Sequence, residues 1–405
     1  MKFLQKFGPG LLYAGAAIGV SHLVQSTTAG AKFGLTLIIA IVIANIIKFP
    51  IFEFGVRYAN VKGESLIEGY KKLGKWAVPL FTLITLGTMF TIQAAVTIVT
   101  AGIFEEVFKF GWSNGAWSIV ILLLSAGILG IGKYKLLDIL IKFIIITLSI
   151  TTLITLIIAL LKVPDLQWGH FSFTNSIHVG FLIALIGWMP APFDLSVWQS
   201  IWVVEKMKLS DGQFTKKAAL FDFKIGFWGA AILAVCFLLL GAAIMYGSGE
   251  EISPKGTVFA RQVINIFTSN LGDWAYPIVA IAALTTMFST TITCLDAFAR
   301  VLTEIIIKDR ENVKAQKISY WSWMGIVGTG AVIVISYLTS TMGQMVKVAT
   351  IISFLTAPVI AIMNYKLVFS KDFPSEHVPG NVLKYLSWVG IAFFTLFSIY
   401  YLTML

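Results

Sequence analysis

Long apolar windows separated by short polar stretches run the whole length of the chain, and they set its class before any motif does. Crossing a hydrocarbon core of ~30 Å takes about 20 consecutive apolar residues in helix. Windows of that length lie near 9–33, 36–56, 78–103, 116–132, 137–161, 179–204, 225–246, 275–305, 320–339, 346–367 and 384–404. The pattern predicts an all-α polytopic membrane protein with eleven transmembrane helices. Two windows are interrupted at mid-depth, the first at Gly19-Val20-Ser21-His22 and the sixth at Gly187-Trp188-Met189-Pro190-Ala191-Pro192. Hydrocarbon tolerates unwound backbone only where it lines a protein cavity, so paired interruptions in corresponding places point to the binding site of a carrier.

The windows fall into two sets of five, a first repeat over about 9–161 and a second over about 179–367, followed by an extra helix near 384–404. An odd number of spans per half forces the second half into the membrane inverted. The expected architecture is a single domain over 1–405, a five-plus-five inverted repeat with discontinuous helices 1 and 6. No residue-level repeat supports the symmetry, which rests on hydropathy and the matched breaks.

Composition agrees. With 58% hydrophobic and 12% charged residues, and a mean hydropathy of +0.87, the chain has too little polar surface for a soluble globule. The net charge of +10 suggests nucleic acid until the charges are placed. With a cytoplasmic N-terminus, only Lys32, Lys109, Lys162, Lys255, Arg261 and Lys347 fall in outside loops and Lys142 in a span. The other basic residues, Lys48 counted among them, fall inside. That is the positive-inside bias, and it places the C-terminus outside, with the lipid bilayer and not a nucleic acid as the partner. The setting is a bacterial inner membrane, with no obligate protein partner and no cofactor expected. Cys236 and Cys294 lie within windows and read as small buried hydrophobes.

At the first break, Gly15 and Gly19 are four apart, a spacing that also serves close helix packing. Ser21 to Thr28 are too polar for a lipid-facing helix, and at ordinary helical spacing His22, Gln25 and Ser26 share a face. At the second, Pro190 and Pro192 remove backbone donors and free carbonyls near Ile186 to Met189. Asp194 either caps the half-helix that follows or projects into the site. The substrate-binding candidates are Gly19, Ser21, His22, Gln25, Ser26, Ile186 and Met189. Gln93, Asp194, Thr290 and Thr350 are candidates for the pathway or for coupling. Gln93, Thr97 and Thr100 share one face of span three, Thr285 to Thr293 make span eight rich in hydroxyls, and Asp296 and Arg300 are spaced to pair.

Gly8-Pro9-Gly10-Leu11-Leu12, Ala29-Gly30-Ala31-Lys32-Phe33-Gly34 and Met189-Pro190, with the span number and loop order of the whole chain, resemble the NRAMP family of proton-coupled divalent metal transporters. The resemblance implies a LeuT-type fold and a metal ion held between broken helices 1 and 6, with His22 and Met189 as the metal candidates here. The departures are specific. The family's Asp-Pro-Gly-Asn places its metal-binding Asp and Asn where this chain has Gly19 and His22. Its Met-Pro-His becomes Met189-Pro190-Ala191, its third-span acidic residues are replaced near Ile92, Gln93 and Ala95, and its polar residue of span ten falls at Ala349, beside Thr350.

Losing the carboxylate matters, because a divalent ion in a low-dielectric site needs a compensating anion. His, Met and carbonyls suit softer, later transition metals, and His22 is the obvious titratable replacement for proton coupling. The same loss also permits the opposite cargo, a small anion such as bicarbonate or a carboxylate held on helix amides. The expected function is secondary transport of an inorganic ion, a metal cation by the resemblance, with a carrier of that small anion or another polar solute and a non-transporting receptor as alternatives. No His-Glu-x-x-His spacing exists among His22, His170, His178 and His377, so an intramembrane enzyme is not expected.

Overall fold

The computed structural model describes residues 8–131, 134–163, 165–210, 214–307, 309, 311–338 and 341–404, with side chains of 134–144 excepted. The chain winds into α1 (Pro9–Ala17), a π-wound turn (Ser21–Ser26), α2 (Thr27–Phe33), α3 (Ile38–Lys62), α4 (Leu66–Leu73), α5 (Ala77–Phe108), α6 (Asn114–Gly130) and α7 (Tyr134–Lys162). There follow α8 (Ser176–Trp188), α9 (Asp194–Leu209), α10 (Lys216–Ile244), α11 (Gly256–Leu271), α12 (Tyr276–Ile306), α13 (Val313–Ile333), α14 (Met342–Val368) and α15 (Asn381–Leu402). Eight of the described helical stretches are long and apolar enough to cross a membrane, with α6 and α8 shorter but apolar.

Local chemistry explains the helix ends. Ser65, Ser113, Asn175 and Thr215 each accept a backbone N–H of the helix they precede, which satisfies donors that would otherwise be orphaned. Gly63 closes α3 in the left-handed conformation, at φ 69. Two helices lie outside the hydropathy windows. α4 and α11 each bury one face, Leu66, Ile67 and Tyr70 in the first and Phe259, Val263 and Phe267 in the second, and mean hydropathy averages that stripe against a polar face.

Burial separates core helices from lipid-facing ones. The apolar windows of α5, α10 and the α12 stretch are 67%, 67% and 72% buried, while those of α13, α7 and α15 are 22%, 28% and 28% buried. Helix 1 packs directly on α10. A Cβ on Gly30 would lie 1.9 Å from the Leu238 carbonyl oxygen, and one on Gly241 would lie 2.2 Å from that of Thr27, so only glycine permits the approach. Near the other end, Asp222 of α10 accepts the backbone N–H of Gly10 at 2.7 Å. Helix 1 is therefore clamped to α10 above and below its break.

Candidate functional site

Both expected interruptions are present. α1 stops at Ala17, and Ile18 takes φ −78, ψ 89, outside the helical region. The chain then resumes as the π-wound Ser21–Ser26 turn. α8 stops at Trp188, Met189 is extended at φ −97, ψ 116, and α9 begins at Asp194. Pro190 and Pro192 lie in between, and Met189-Pro190 is cis.

The two breaks meet. Ser21 Oγ lies 2.7 Å from the Ala17 carbonyl oxygen, 2.7 Å from His22 Nδ1 and 3.4 Å from the Pro190 carbonyl oxygen of the other break. Between the breaks is a small cavity, with ≈ 20 Å³ open to the centre of a water-sized body, room for about one water. Its polar lining is Ser21, Thr290 and Cys294, and the rest is apolar, with Trp188 and Trp198 the largest side chains. No carboxylate lines it. Thr290 Oγ1 donates to the carbonyls of Gly15, at 3.2 Å, and Thr286, at 3.1 Å, which ties α12 to helix 1 at its break.

His22 faces elsewhere. Its Nε2 is 2.9 Å from the Ala230 carbonyl oxygen of α10, which only accepts, so that nitrogen carries a proton. Its ring packs edge-on against Phe237, also of α10. The π winding accounts for part of the difference from ordinary spacing: with i→i+5 bonding the turn is wider, so His22 and Gln25, three apart, no longer share a face. Ser26 Oγ is buried with no hydrogen-bond partner, and Gln25 is buried beside it.

The remaining candidates scatter. Ile186 accepts the Met189 N–H at 3.2 Å, and both side chains are buried, Met189 completely. A Cβ on Gly19 would lie 2.8 Å from Thr290 Oγ1, so the first break is pressed against α12. Gln93 bonds Thr97 Oγ1 at 3.1 Å and the Thr291 carbonyl at 3.3 Å, a link between α5 and α12 that Thr100–Thr291 repeats at 2.8 Å. Thr350 spends its hydroxyl on its own helix, at Val346 and Lys347. Asp194 is buried, its Oδ1 has no hydrogen-bond partner, and no side-chain cap closes the start of α9.

Lys48 corrects the charge assignment. The expectation counted it with the inside loops, but it lies within α3, completely buried, and its Nζ donates to the carbonyls of Gly187 at 2.9 Å and Ala191 at 3.0 Å. The sequence signal was present, a lysine inside the apolar window 36–56, where Glu53 is the other charge. Cys294, read from sequence as packing only, lines the cavity.

A vestibule of ≈ 360 Å³ lies further along α9, lined by Ile201, Glu205, Arg300, Glu304 and Tyr320 among others. Trp198, on the cavity wall, packs edge-on against Phe298 at 5.0 Å, one turn before Ile201. Asp296 accepts from Arg300 Nε at 2.7 Å and from the Tyr320 hydroxyl at 2.5 Å, so the expected pair is made at the vestibule wall. Among the described residues, no group of three or more His, Cys, Asp or Glu is placed to hold a metal ion.

Residues 10–404 match the model of the family described as natural resistance-associated macrophage protein-like, Nramp. An uncharacterised protein of Pasteurella multocida is 36% identical over 404 residues, which cover 98% of this chain and 91% of that relative. Among solved structures, a manganese transporter of Eremococcus coleocola superposes with a TM-score of 0.71 at 14% identity, covering 98% of this chain and 85% of the other. MhsT in complex with L-phenylalanine superposes with a TM-score of 0.61 at 15% identity, covering 99% and 97%. At these identities the structures speak for the fold.

Proposed function

The chain belongs to the Nramp family, and from that premise we propose that it is a membrane carrier that moves a metal cation by alternating access through the cavity between its two broken helices. The observation that carries this reading is the meeting of the breaks: Ser21 of one reaches the Pro190 carbonyl of the other across a shared cavity. Unwound backbone at mid-depth supplies carbonyls and half-helix ends to a small ion, and two interrupted helices can rock against the rest.

We read the vestibule beyond Trp198 as the open side in this conformation. On the distribution of basic residues, we read the vestibule as cytoplasmic and the protein as lying in a bacterial inner membrane. The two halves of the chain would form the inverted repeat whose relative tilting exchanges the open side.

The cargo follows from the donors. Ser21, Thr290 and Cys294 line the cavity, with His22 and Met189 held behind the two breaks. A thiol that loses its proton on binding is the one anionic donor on this wall, so the set suits a soft, later transition metal better than magnesium or calcium. A second reading, a small anion, draws on the absence of a lining carboxylate and on the Lys48 ammonium in the helix 6 break. Equilibrium binding to the purified protein separates them, with cadmium, copper, manganese and magnesium set against bicarbonate and phosphate. The metal reading expects saturable cadmium binding, weakened at least tenfold by Cys294→Ala. Saturable bicarbonate or phosphate binding without any metal binding would replace it with the anion reading.

A further inference from the structure

Lys48 sits where a buried charge needs a reason. It lies midway along α3 with its side chain fully enclosed, and among the described residues no carboxylate is within ion-pair distance of it. Taking an ammonium out of water without a counter-ion costs several kcal/mol. What surrounds Nζ instead is a cation's coordination sphere. The Gly187 and Ala191 carbonyl oxygens are 2.9 and 3.0 Å away, and the rings of Phe193 and Phe394 present themselves at 5.2 and 5.5 Å from centroid to nitrogen.

Each part attracts positive charge for its own reason. Gly187 belongs to the last turn of α8, whose C-terminal carbonyls carry the negative end of the helix dipole. Ala191 lies between Pro190 and Pro192, where regular helical bonding is interrupted. Aromatic faces attract a cation most strongly when water is excluded, as it is here.

We propose that the carbonyls freed by the helix 6 break form a binding site for a small monovalent cation, ammonium or an alkali ion, and that the Lys48 ammonium fills this site permanently from α3. The lysine acts as a tethered ion. It holds the two ends of the break at a fixed separation, and no dissolved cation has to bind there. The claim concerns the break and α3, and it is read out without any cargo.

The test is thermal unfolding of the full-length protein in detergent. A choline chloride background is replaced stepwise by ammonium, potassium or sodium chloride at constant ionic strength. The wild type, its site already filled, is expected to melt at the same temperature in every salt. Lys48→Met, close in length but uncharged, is expected to melt lower in choline and to recover saturably with at least one small cation. If Lys48→Met cannot be isolated folded from choline, extraction in ammonium, potassium or sodium is expected to yield it. A variant that melts like the wild type, one that no small cation rescues, or a wild type that gains as much from a cation as the variant does, overturns the proposal. The readout is stability, so it is separable from any failure of the transport reading.

Discussion

Ser21 is the residue on which the site turns. Its hydroxyl reaches backbone carbonyls of both interrupted helices, and it borders the cavity. Its single proton is shared among three acceptors, the Ala17 carbonyl, His22 Nδ1 and, at longer range, the Pro190 carbonyl, so it couples the wall of the site to a histidine facing α10. Losing one such hydrogen bond costs about 0.5–1.5 kcal/mol, too little to unfold the protein. Ser21→Ala is therefore expected to remain folded by circular dichroism while cargo uptake falls roughly tenfold or more, the counterpart of about 1.4 kcal/mol in site affinity. Unchanged uptake would remove Ser21 from the site. Side-chain direction of this kind was not legible in the chain. The run Ser21 to Thr28 announced polarity at the right depth, but a π turn in place of an α turn rotates each following side chain, and nothing in the letters marks that winding.

At the scale of elements, the interruptions were legible and the amphipathic helices were not. Pro190 and Pro192 act on the backbone locally, as does glycine at the first break, so their effect can be read without knowing the neighbours. α4 and α11 escape a hydropathy window because burying one face is a tertiary matter. Lys48 was missed for a related reason: it lies inside the window 36–56 but was counted with the loops, and only the partner helix shows which carbonyls it meets. The contact of α2 with α10 carries its own prediction. Valine at Gly30 would drive side-chain carbons into the Leu238 carbonyl, so Gly30→Val should destabilise by about 1–3 kcal/mol or more. Gly87 in α5 has nothing within 4 Å of where a Cβ would stand, so Gly87→Ala should be neutral or stabilise by up to ~1 kcal/mol. Thermal melts of both variants check the contrast, and equal shifts would contradict the packing argument.

For the whole molecule, family membership and fold say what kind of machine this is, and the cavity says which side chains it has to work with. The cavity wall between the breaks offers hydroxyls and a thiol, from Ser21, Thr290 and Cys294. A vestibule lies beyond Trp198, and the proposed carrier works only if the cavity can also be reached from the opposite end. The most direct test is counterflow in proteoliposomes. Vesicles loaded with unlabelled cadmium are diluted into a trace of labelled cadmium, and the label inside is followed over time. The account predicts a transient overshoot of label, absent from protein-free vesicles and much reduced with Ser21→Ala. Saturable binding of the label to the protein, with no exchange across the bilayer, would mean that the molecule captures its ligand without carrying it.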